Sequence, residues 1–519
     1  MSRRSGALMV CGTTSGAGKS TITAALCRSW ARQGLRTAPF KAQNMSNHAA
    51  VTADGGEVGR AQAMQARAAG VEVERRMNPV LLKPSSDNVS HVVVLGDEVS
   101  VTDARDYGPS TRRLRPVVLE ALSSLRHEYD WVVAEGAGGA AEINLLDRDL
   151  VNLPLARAAG LAALLVVDID RGGAFASAHG TIDLLPRSLS GCIGGIVFNS
   201  FRGDPSLLVD GVAELERRSK VPVLGVLPYL AEETMLGVED FLDIRAGLHS
   251  RARSAKPVRV AAIRLPRLAN PSDLDPFVVE PDVEMRWVTR PDELAAADLI
   301  VIPGSRATVA DLVWLRRNGL AEALKNCDAP IIGICAGYQM LGQRIHDEIE
   351  SDSGTVAGLG LLDVETRFEH PKVVCRCSFT VGGLRIEGYQ IRFGRIVSRE
   401  RPWFSPVGDS GDCVIGDRVV DAGLSSRVAA RCEGAVSRDG RIRASSVHGL
   451  FDADGFRSEL LGAVAVSRGR DYRPKTTSYH DALEAHHEHL ADWLEAHIDT
   501  SALLDLAASA NPVGSEPGW

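Results

Sequence analysis

The sequence predicts an α/β protein with two doubly wound domains, and three observations support this fold class. Short apolar runs recur along the chain, each followed by a glycine-containing turn and a helical pattern. This alternation is typical of a parallel sheet with crossover helices. A polar, basic segment without periodicity divides the runs into two series. At 519 residues, the chain is also longer than one hydrophobic core usually organises.

Taken in order, the runs define the domains. Those of the first domain, residues 1–245, predict strands at Ala7–Val10, Trp131–Ala134, Ala163–Val167, Ile193–Val197 and Val223–Val226. Residues 246–257 form the predicted linker. The second domain, residues 258–500, has predicted strands at Val258–Ile263, Leu299–Ile302 and Pro330–Ile334. We assign a helical pattern from Asp481 to Glu495 to this second domain. Residues 501–519 are predicted to be a C-terminal tail that is frayed from Ser509 to Trp519.

Composition excludes several classes of protein. The chain has 58 basic and 66 acidic residues, a net charge of -8, so we expect no binding to nucleic acid or anionic membrane. The longest apolar stretch, Leu161–Val167, is much shorter than the roughly 20 residues that span a bilayer. The nine cysteines are scattered without paired metal-type spacing, which predicts a reducing, cytoplasmic location. The oligomeric state is not indicated.

A glycine-rich segment follows the first predicted strand and precedes a helix predicted from about Thr21 to Arg32. It is a P-loop context with one extra residue between the outer glycines. Such glycines let backbone N–H groups converge on phosphate oxygens, while a lysine neutralises charge and a serine ligates Mg²⁺. The sequence therefore predicts an ATP site. Its nucleotide-binding residues are Gly12, Thr13, Gly16, Gly18, Lys19, Ser20 and Thr21.

A magnesium ion at these phosphates requires carboxylate ligands. Glu135 ends a predicted strand, which is where open α/β sheets place their ligands. Asp54 and Glu57 are further candidates, and composition alone does not choose between them.

The second predicted site is a cysteine on a sharp turn. Gly333-Ile334-Cys335-Ala336-Gly337 lies between a buried strand and a helix. Small neighbours suit a strand-to-helix turn that lifts a nucleophile out of the sheet, and the helix N-terminus favours the thiolate. His448 follows an apolar strand and is the predicted base. Backbone N–H groups at the turn Pro303–Ser305 are candidates for an oxyanion site.

Together these motifs resemble a known family. The P-loop with Glu135-Gly136-Ala137-Gly138 resembles the dethiobiotin synthetase type of ATP-dependent carboxylate-activating domain, and Cys335 with His448 resembles class I glutamine amidotransferases. The combination is similar to the cobyric acid synthase family, from roughly Gly6 to Ile498. Longer matching strings lie at residues 41–47, 54–62, 77–84, 141–145, 168–173 and 201–204.

The resemblance implies an ATP- and glutamine-dependent amidation. The family converts the b, d, e and g side-chain carboxylates of adenosylcobyrinic acid a,c-diamide to amides, with Mg²⁺ as cofactor. ATP would activate each carboxylate as an acyl phosphate. Cys335 would attack the glutamine amide to form a glutamyl thioester, with His448 moving the proton and backbone N–H groups near Ser305 and Ala336 holding the oxyanion. Released ammonia would pass to the first domain.

The resemblance also assigns residues in the ATP site. Lys19 and Lys41 would face the phosphates and transferred group, Ser20, Glu57 and Glu135 would hold Mg²⁺, and Asn199 would lie by the adenine. Asp54 is the alternative to Glu57.

Departures from the family pattern leave alternatives open. Class I amidotransferases usually carry Glu two residues after the histidine, but position 450 is Leu, which predicts a Cys335–His448 dyad. Gln390 and Arg392 stand where the family often has Glu and His. One alternative is a cobyrinic acid a,c-diamide synthase or another amidotransferase of the group in which the same two domains are fused. A second is a P-loop partition-type ATPase whose amidotransferase domain is noncatalytic.

Overall fold

The computed structural model describes residues 5–84, 89–103, 107–230, 254–407 and 432–509. Two parallel α/β sheets, one in each half of the chain, confirm the predicted fold class. The proposed boundary at residue 245 and most of the proposed linker, residues 246–253, lie outside the described residues. Within the described chain, no helix combines the length and hydropathy needed to cross a membrane.

The first domain is built on a six-stranded parallel sheet with an inserted β region. Its strands are β1 (Gly6–Gly12), β2 (Thr37–Phe40), β3 (Gln43–Met45), β4 (Ala49–Val51), β5 (Glu57–Gly59), β6 (Val80–Pro84), β7 (Val89–Val94), β8 (Asp97–Asp103), β9 (Trp131–Glu135), β10 (Ala162–Asp168), β11 (Ile193–Phe201) and β12 (Val223–Pro228). The parallel sheet has the order β12-β11-β10-β1-β9-β2. Strands β3, β6, β7 and β8 form a separate sheet, and β4 pairs with β5.

Alternate residues of β1 face two different cores. Ala7, Met9 and Cys11 pack into one cluster, and Leu8 and Val10 into the other. Both faces of the sheet are therefore covered, as in doubly wound folds. The helices of this half are α1 (Lys19–Arg32), α2 (Arg60–Ala68), α3 (Tyr107–Glu128), α4 (Leu153–Ala158), α5 (Ala174–Leu184), α6 (Arg187–Ser190) and α7 (Val209–Ser219).

The second domain has its own six-stranded sheet and a long β-hairpin. Its strands are β13 (Val258–Ile263), β14 (Leu268–Ala269), β15 (Val283–Val288), β16 (Leu299–Ile302), β17 (Gly304–Ser305), β18 (Ile331–Ile334), β19 (Arg344–Asp347), β20 (Gly354–Ala357), β21 (Val364–Val381), β22 (Leu384–Ser398), β23 (Ser405–Pro406), β24 (Ala435–Val436) and β25 (Ile442–Ser445). The main sheet has the order β15-β13-β16-β18-β25-β24, with only β24 antiparallel. The hairpin β21–β22 contacts β4 of the first domain.

The helices of the second half do not all belong to the second domain. They are α8 (Asp275–Val278), α9 (Thr308–Arg317), α10 (Leu320–Asn326), α11 (Ala336–Leu341), α12 (Asp454–Arg468), α13 (Tyr479–Glu495) and α14 (Thr500–Ala508). Helices α8 to α12 surround the second sheet, whereas α13 packs along α1 of the first domain.

The assignment of Asp481–Glu495 to the second domain is therefore wrong. Leu490, Trp493 and Leu494 recur at helical spacing and enter the core beneath β1 of the first sheet. The Trp493 indole donates to the carbonyl of Pro228, 3.0 Å away. Residues 501–508 of the predicted C-terminal tail are helical, and Leu503 and Ala507 of α14 enter the same core. The proposed tail from residue 510 onward lies outside the described residues.

Candidate active sites

The phosphate loop has the backbone that its glycines predict. It connects β1 to α1, and α1 begins at Lys19, so Lys19, Ser20 and Thr21 form the first helical turn. Gly16 and Gly18 have φ values of 70° and 93°, in the left-handed region that favours glycine. A Cβ on Gly12 would lie 3.1 Å from Lys19 Nζ, and the Thr13 amide donates to the carbonyl of Val166. The loop is held in a form suited to binding phosphate.

Three predicted residues meet at the end of β9. The Ser20 hydroxyl donates to Glu135 Oε1 over 2.7 Å, and Lys41 Nζ lies 2.8 Å from the same oxygen. Gln65 of α2, which the sequence did not single out, donates to Glu135 Oε2. Lys19 Nζ donates to the carbonyls of Thr14 and Gly138, 3.0 and 2.9 Å away.

The contacts of the buried Glu135 carboxylate favour its ionised form. Burial alone would raise its pKa, but the Lys41 ammonium and hydrogen bonds from Gln65 and Ser20 hold the pKa below its ordinary value. An ionised carboxylate beside a serine hydroxyl at a phosphate loop is a donor set that suits Mg²⁺.

Asn199, the predicted adenine neighbour, contacts the phosphate loop. Its side-chain amide donates to the carbonyl of Ala17 over 2.9 Å, and its Nδ2 would lie 2.1 Å from a Cβ on Gly18. Asn199 therefore supports the loop, and its contact with adenine stays a prediction.

Glu57 does not lie with Ser20 and Glu135, the other predicted Mg²⁺ ligands. The Glu57 carboxylate on β5 bonds through one oxygen to Lys83 and through the other to Lys372, 2.8 Å away in the second domain. Burial would raise the pKa of Glu57, but these two ammonium groups hold it well below its ordinary value. The structure does not support the predicted assignment of Glu57 to Mg²⁺, because one oxygen is engaged by Lys83 within the first domain and the other by Lys372 of the second.

The alternative ligand, Asp54, does not lie with those donors either. Its carboxylate pairs with Arg75, with Oδ2 2.7 Å from Nε, and accepts from Thr52. Across the described residues, no group of three or more His, Cys, Asp or Glu side chains is placed to hold a metal. Ser20 and Glu135 are therefore the predicted ligands that remain.

Cys335 lies on the predicted sharp turn between β18 and α11. Its φ of 52° and ψ of -105° are strained for a residue with a side chain. A Cβ on Gly337 would lie 2.0 Å from the carbonyl oxygen of Ile302, and one on Gly333 would lie 2.9 Å from the Gly337 carbonyl carbon. Glycine is required at both positions because the turn packs this tightly, and the turn presents Cys335 to a pocket.

His448 faces Cys335 and has an acidic partner that the sequence analysis missed. His448 Nδ1 lies 2.7 Å from Asp273 Oδ2, and the other Asp273 oxygen accepts from the Gly449 amide over 2.9 Å. All three groups are buried. Position 450 is Leu as the dyad prediction noted, but the predicted Cys335–His448 dyad has an acidic group beside it, because Asp273 in a short 3₁₀ turn at Pro271–Leu274 contacts the imidazole.

The surroundings of His448 favour its charged form. Burial disfavours the imidazolium, but Asp273 and a hydrogen-bonded Cys335 outweigh it and raise the pKa of His448 to about 10. Tyr389 stacks on the ring at a centroid distance of 5.3 Å. The arrangement suits a cysteine nucleophile beside an imidazolium that holds a proton.

The pocket above Cys335 is lined by both domains. Gly304 lies at its wall, where a Cβ would be 3.1 Å from His448 Cε1. Asn47 and Lys83 of the first domain also line it. No sequence signal predicted that the first domain contributes to this pocket, since the two halves are joined here only by tertiary contacts.

One residue that departs from the family pattern, Arg392, lies at this pocket. Its guanidinium Nε donates to the side-chain oxygen of Gln390 over 3.0 Å. The two substitutions therefore form a bonded pair beside the nucleophile.

Comparisons with known proteins identify the family of each domain. Residues 8–234 match the family model of the CobQ/CobB/MinD/ParA nucleotide binding domain, and residues 259–456 match that of the CobB/CobQ-like glutamine amidotransferase domain. A cobyric acid synthase of Frankia casuarinae is 45% identical, covering 98% of both chains. Enzymes of the same name from Nocardia farcinica and Rhodococcus jostii are 47% and 45% identical, covering 98% and 99% of this chain and 98% of each of theirs.

Proposed function

The chain belongs to the cobyric acid synthase family of ATP-dependent glutamine amidotransferases, and from this premise we propose which groups perform each step. The substrates are ATP, glutamine and adenosylcobyrinic acid a,c-diamide, whose b, d, e and g carboxylates become amides. The observation that carries the proposal is the retention of both sites in one chain: the Ser20–Glu135–Lys41 cluster and the Cys335–His448–Asp273 cluster.

The first site activates a carboxylate. A substrate carboxylate oxygen attacks the γ-phosphorus of ATP, and ADP leaves to give an acyl phosphate. Lys19 and Lys41 neutralise charge on the transferring group. Ammonia then attacks the acyl carbon, and phosphate leaves.

Ser20 and Glu135 would hold Mg²⁺, which neutralises phosphate charge when bound. Their hydroxyl and ionised carboxylate fit a hard cation, whereas Glu57 and Asp54 do not approach them. Because Lys41 shares Glu135 Oε1 with Ser20, nucleotide binding would let the Lys41 ammonium exchange that carboxylate for phosphate oxygens.

The second site releases ammonia from glutamine. The Cys335 sulfur attacks the side-chain amide carbon, and the His448 imidazolium gives its proton to the departing ammonia, which leaves a glutamyl thioester. Backbone N–H groups at Ser305 and Ala336 hold the oxyanion. Neutral His448 then takes a proton from water, which attacks the thioester to give glutamate. Asp273 orients the ring and stabilises its charge throughout.

The test is mass spectrometry of adenosylcobyrinic acid a,c-diamide incubated with enzyme, Mg·ATP and either glutamine or ammonia. Wild type should add amides stepwise with both nitrogen sources. Cys335→Ala should lose at least about 10³-fold of the glutamine-dependent rate but keep the ammonia-dependent rate. Cys327→Ala, at a partly exposed cysteine, is the control.

Two outcomes would contradict the proposal. If the wild-type enzyme amidates nothing with either nitrogen source, the proposed corrinoid substrate is wrong. The carboxylate substrates of other enzymes with the same two fused domains must then be tried. If Cys335→Ala keeps its glutamine-dependent rate, the nucleophile is wrong.

The cytoplasmic location stays a prediction.

A further inference from the structure

The pocket above Cys335 contains polar atoms that have no partner. Among the residues that the structure describes, Nε and Nη2 of Arg306, Oε2 of Glu350 and Oδ1 of Asn47 are buried without a hydrogen bond. Arg306 is only 6% exposed. All three side chains line the pocket that also contains Cys335 and His448. Leaving such groups unsatisfied is costly in a folded protein, which indicates that a ligand completes them.

The ion pair between Arg306 and Glu350 uses only part of the hydrogen-bonding capacity of each side chain. Arg306 Nη1 donates to Glu350 Oε1, which leaves two donor atoms on the guanidinium and one carboxylate oxygen without a hydrogen bond, on side chains that both line the pocket. A purely structural pair would commonly bond in a bidentate manner. Burial raises the pKa of Glu350, although Arg306 opposes this shift.

The other charged groups at the pocket already have bonded partners. Lys83 and Lys372 both bond to Glu57, and Arg392 bonds to Gln390 and to the carbonyl of Gly394. The buried polar atoms that lack a hydrogen bond therefore belong to one cation (Arg306), one anion (Glu350) and one amide oxygen (Asn47). A ligand that fills it needs an anionic acceptor and a cationic donor on neighbouring atoms.

The backbone end of an α-amino acid has those two groups on one carbon. We propose that Arg306 binds the α-carboxylate of glutamine, and that Glu350 together with Asn47 binds its α-ammonium group. This inference rests on the proposed glutaminase function, because it requires the side-chain amide to reach Cys335. Asn47 belongs to the first domain, so the amino acid site is completed by the domain that consumes the ammonia.

The test is steady-state ammonia release by the full chain from three substrates. They are glutamine, γ-aminobutyramide, which lacks the α-carboxylate, and glutaramate, which lacks the α-amine. Arg306→Gln should raise the glutamine KM roughly 10- to 100-fold with little change in kcat, as expected for losing a charge-assisted hydrogen bond. It should leave kcat/KM for γ-aminobutyramide almost unchanged, because that substrate has no group for Arg306 to bind.

Glu350→Gln and Asn47→Ala should show the opposite selectivity. Each should raise the KM for glutamine while leaving kcat/KM for glutaramate nearly at the wild-type value. Arg306→Lys should recover part of the glutamine KM, since it restores a cation without the planar fork. Arg290→Gln and Glu322→Gln change exposed residues of the same domain and serve as controls.

The outcomes separate this inference from the proposed function. If Arg306→Gln lowers kcat/KM equally for all three substrates, the pair is structural and the inference is overturned. If Asn47→Ala leaves the glutamine KM unchanged, the shared site is overturned. Failure of wild type to release ammonia from glutamine would overturn the glutaminase function itself. Ammonia-dependent amidation should remain at the wild-type rate in every variant that folds correctly.

Discussion

In the phosphate site of the first domain the Glu135 carboxylate is bonded through both of its oxygens, whereas in the pocket above Cys335 the Arg306–Glu350 pair keeps buried polar atoms without a partner among the described residues. Glu135 accepts from Ser20, Lys41 and Gln65. Arg306 and Glu350, by contrast, keep unbonded atoms within the pocket. Nucleotide binding must therefore exchange existing bonds, while glutamine binding completes missing ones. The first site suits a co-substrate that brings its own charge and cation, and the second suits a small neutral amide with a zwitterionic end.

The largest expected effect tests whether the phosphate site is separable from the glutamine pocket. Glu135→Gln removes a charged donor for Mg²⁺ and the counter-charge of Lys41, so ATP-dependent amidation should fall about 10³-fold with glutamine or ammonia. Glutaminase activity should stay within about twofold of wild type. The measurement is amide formation against ammonia release in the same preparation.

A matched variant is Glu142→Gln, which changes a carboxylate on the loop that follows the same strand. If Glu135→Gln abolishes glutaminase activity together with amidation, the two sites are not separable and the comparison fails.

The ion pair between Glu57 and Lys372 provides a second test of the comparison, because it joins the first domain to the second. Glu57→Gln leaves Lys83 without its buried counter-charge and Lys372 with Glu98 as its remaining partner, which should cost about 3 kcal/mol of unfolding free energy. The KM for Mg·ATP should not change, because Glu57 does not approach Ser20. Urea unfolding and ATP kinetics measure the two quantities, with Glu387→Gln as the exposed control.

The pH dependence of the same variant follows from the direction of the Glu57 pKa shift. The folded-state pKa is depressed, so its stabilisation is complete above the unfolded value of about 4.3 and is lost as pH falls toward the folded value. Wild type should therefore lose more stability than Glu57→Gln between about pH 6 and pH 3. Equal losses in both proteins would show that the pair contributes nothing.

Asp273→Asn tests how far the glutamine site is organised before substrate binds. Loss of the carboxylate should reduce glutaminase kcat about 10²-fold, because His448 loses both its orientation and a stabilising charge. The pKa of His448 should fall from about 10, so the alkaline limb of the pH profile should move to lower pH. Asp439→Asn, at an exposed turn, is the control.

A drop in kcat without movement of the alkaline limb would contradict this role for Asp273. It would show that the residue supports the backbone through the Gly449 amide and does not act on the imidazole. Ammonia-dependent amidation should be unaffected in either case.

Local patterns predicted most of what each site contains. The phosphate loop and the turn at Cys335 are continuous segments whose glycines, strand and helix lie within a few residues, so their local structure could be predicted from the sequence. The acid at Asp273 lies 175 residues from its histidine, and Lys372 lies 315 residues from Glu57. Such pairs depend on how the sheets are placed together, and periodicity carries no information about that placement.

Helix α13 shows the same limit on a larger scale. Its apolar spacing predicted a helix correctly, but the surface against which it packs belongs to α1, about 460 residues earlier. An amphipathic pattern shows which face is buried and not which partner buries it. Sequence order therefore placed α13 in the wrong domain.

The smallest expected effect concerns this attachment. Arg32 of α1 pairs with Asp492 and Glu495 of α13 and retains 27% side-chain exposure, so Arg32→Gln should cost only about 0.5–1 kcal/mol of unfolding free energy. Urea unfolding at about 0.02 M and 0.5 M NaCl should show the difference shrinking with salt. Arg217→Gln, whose partner Glu214 lies in the same helix, is the control. A loss of several kcal/mol that salt does not reduce would contradict this expectation. It would mean that the ion pairs, instead of the apolar face of α13 at Leu490 and Trp493, hold this helix on the first domain.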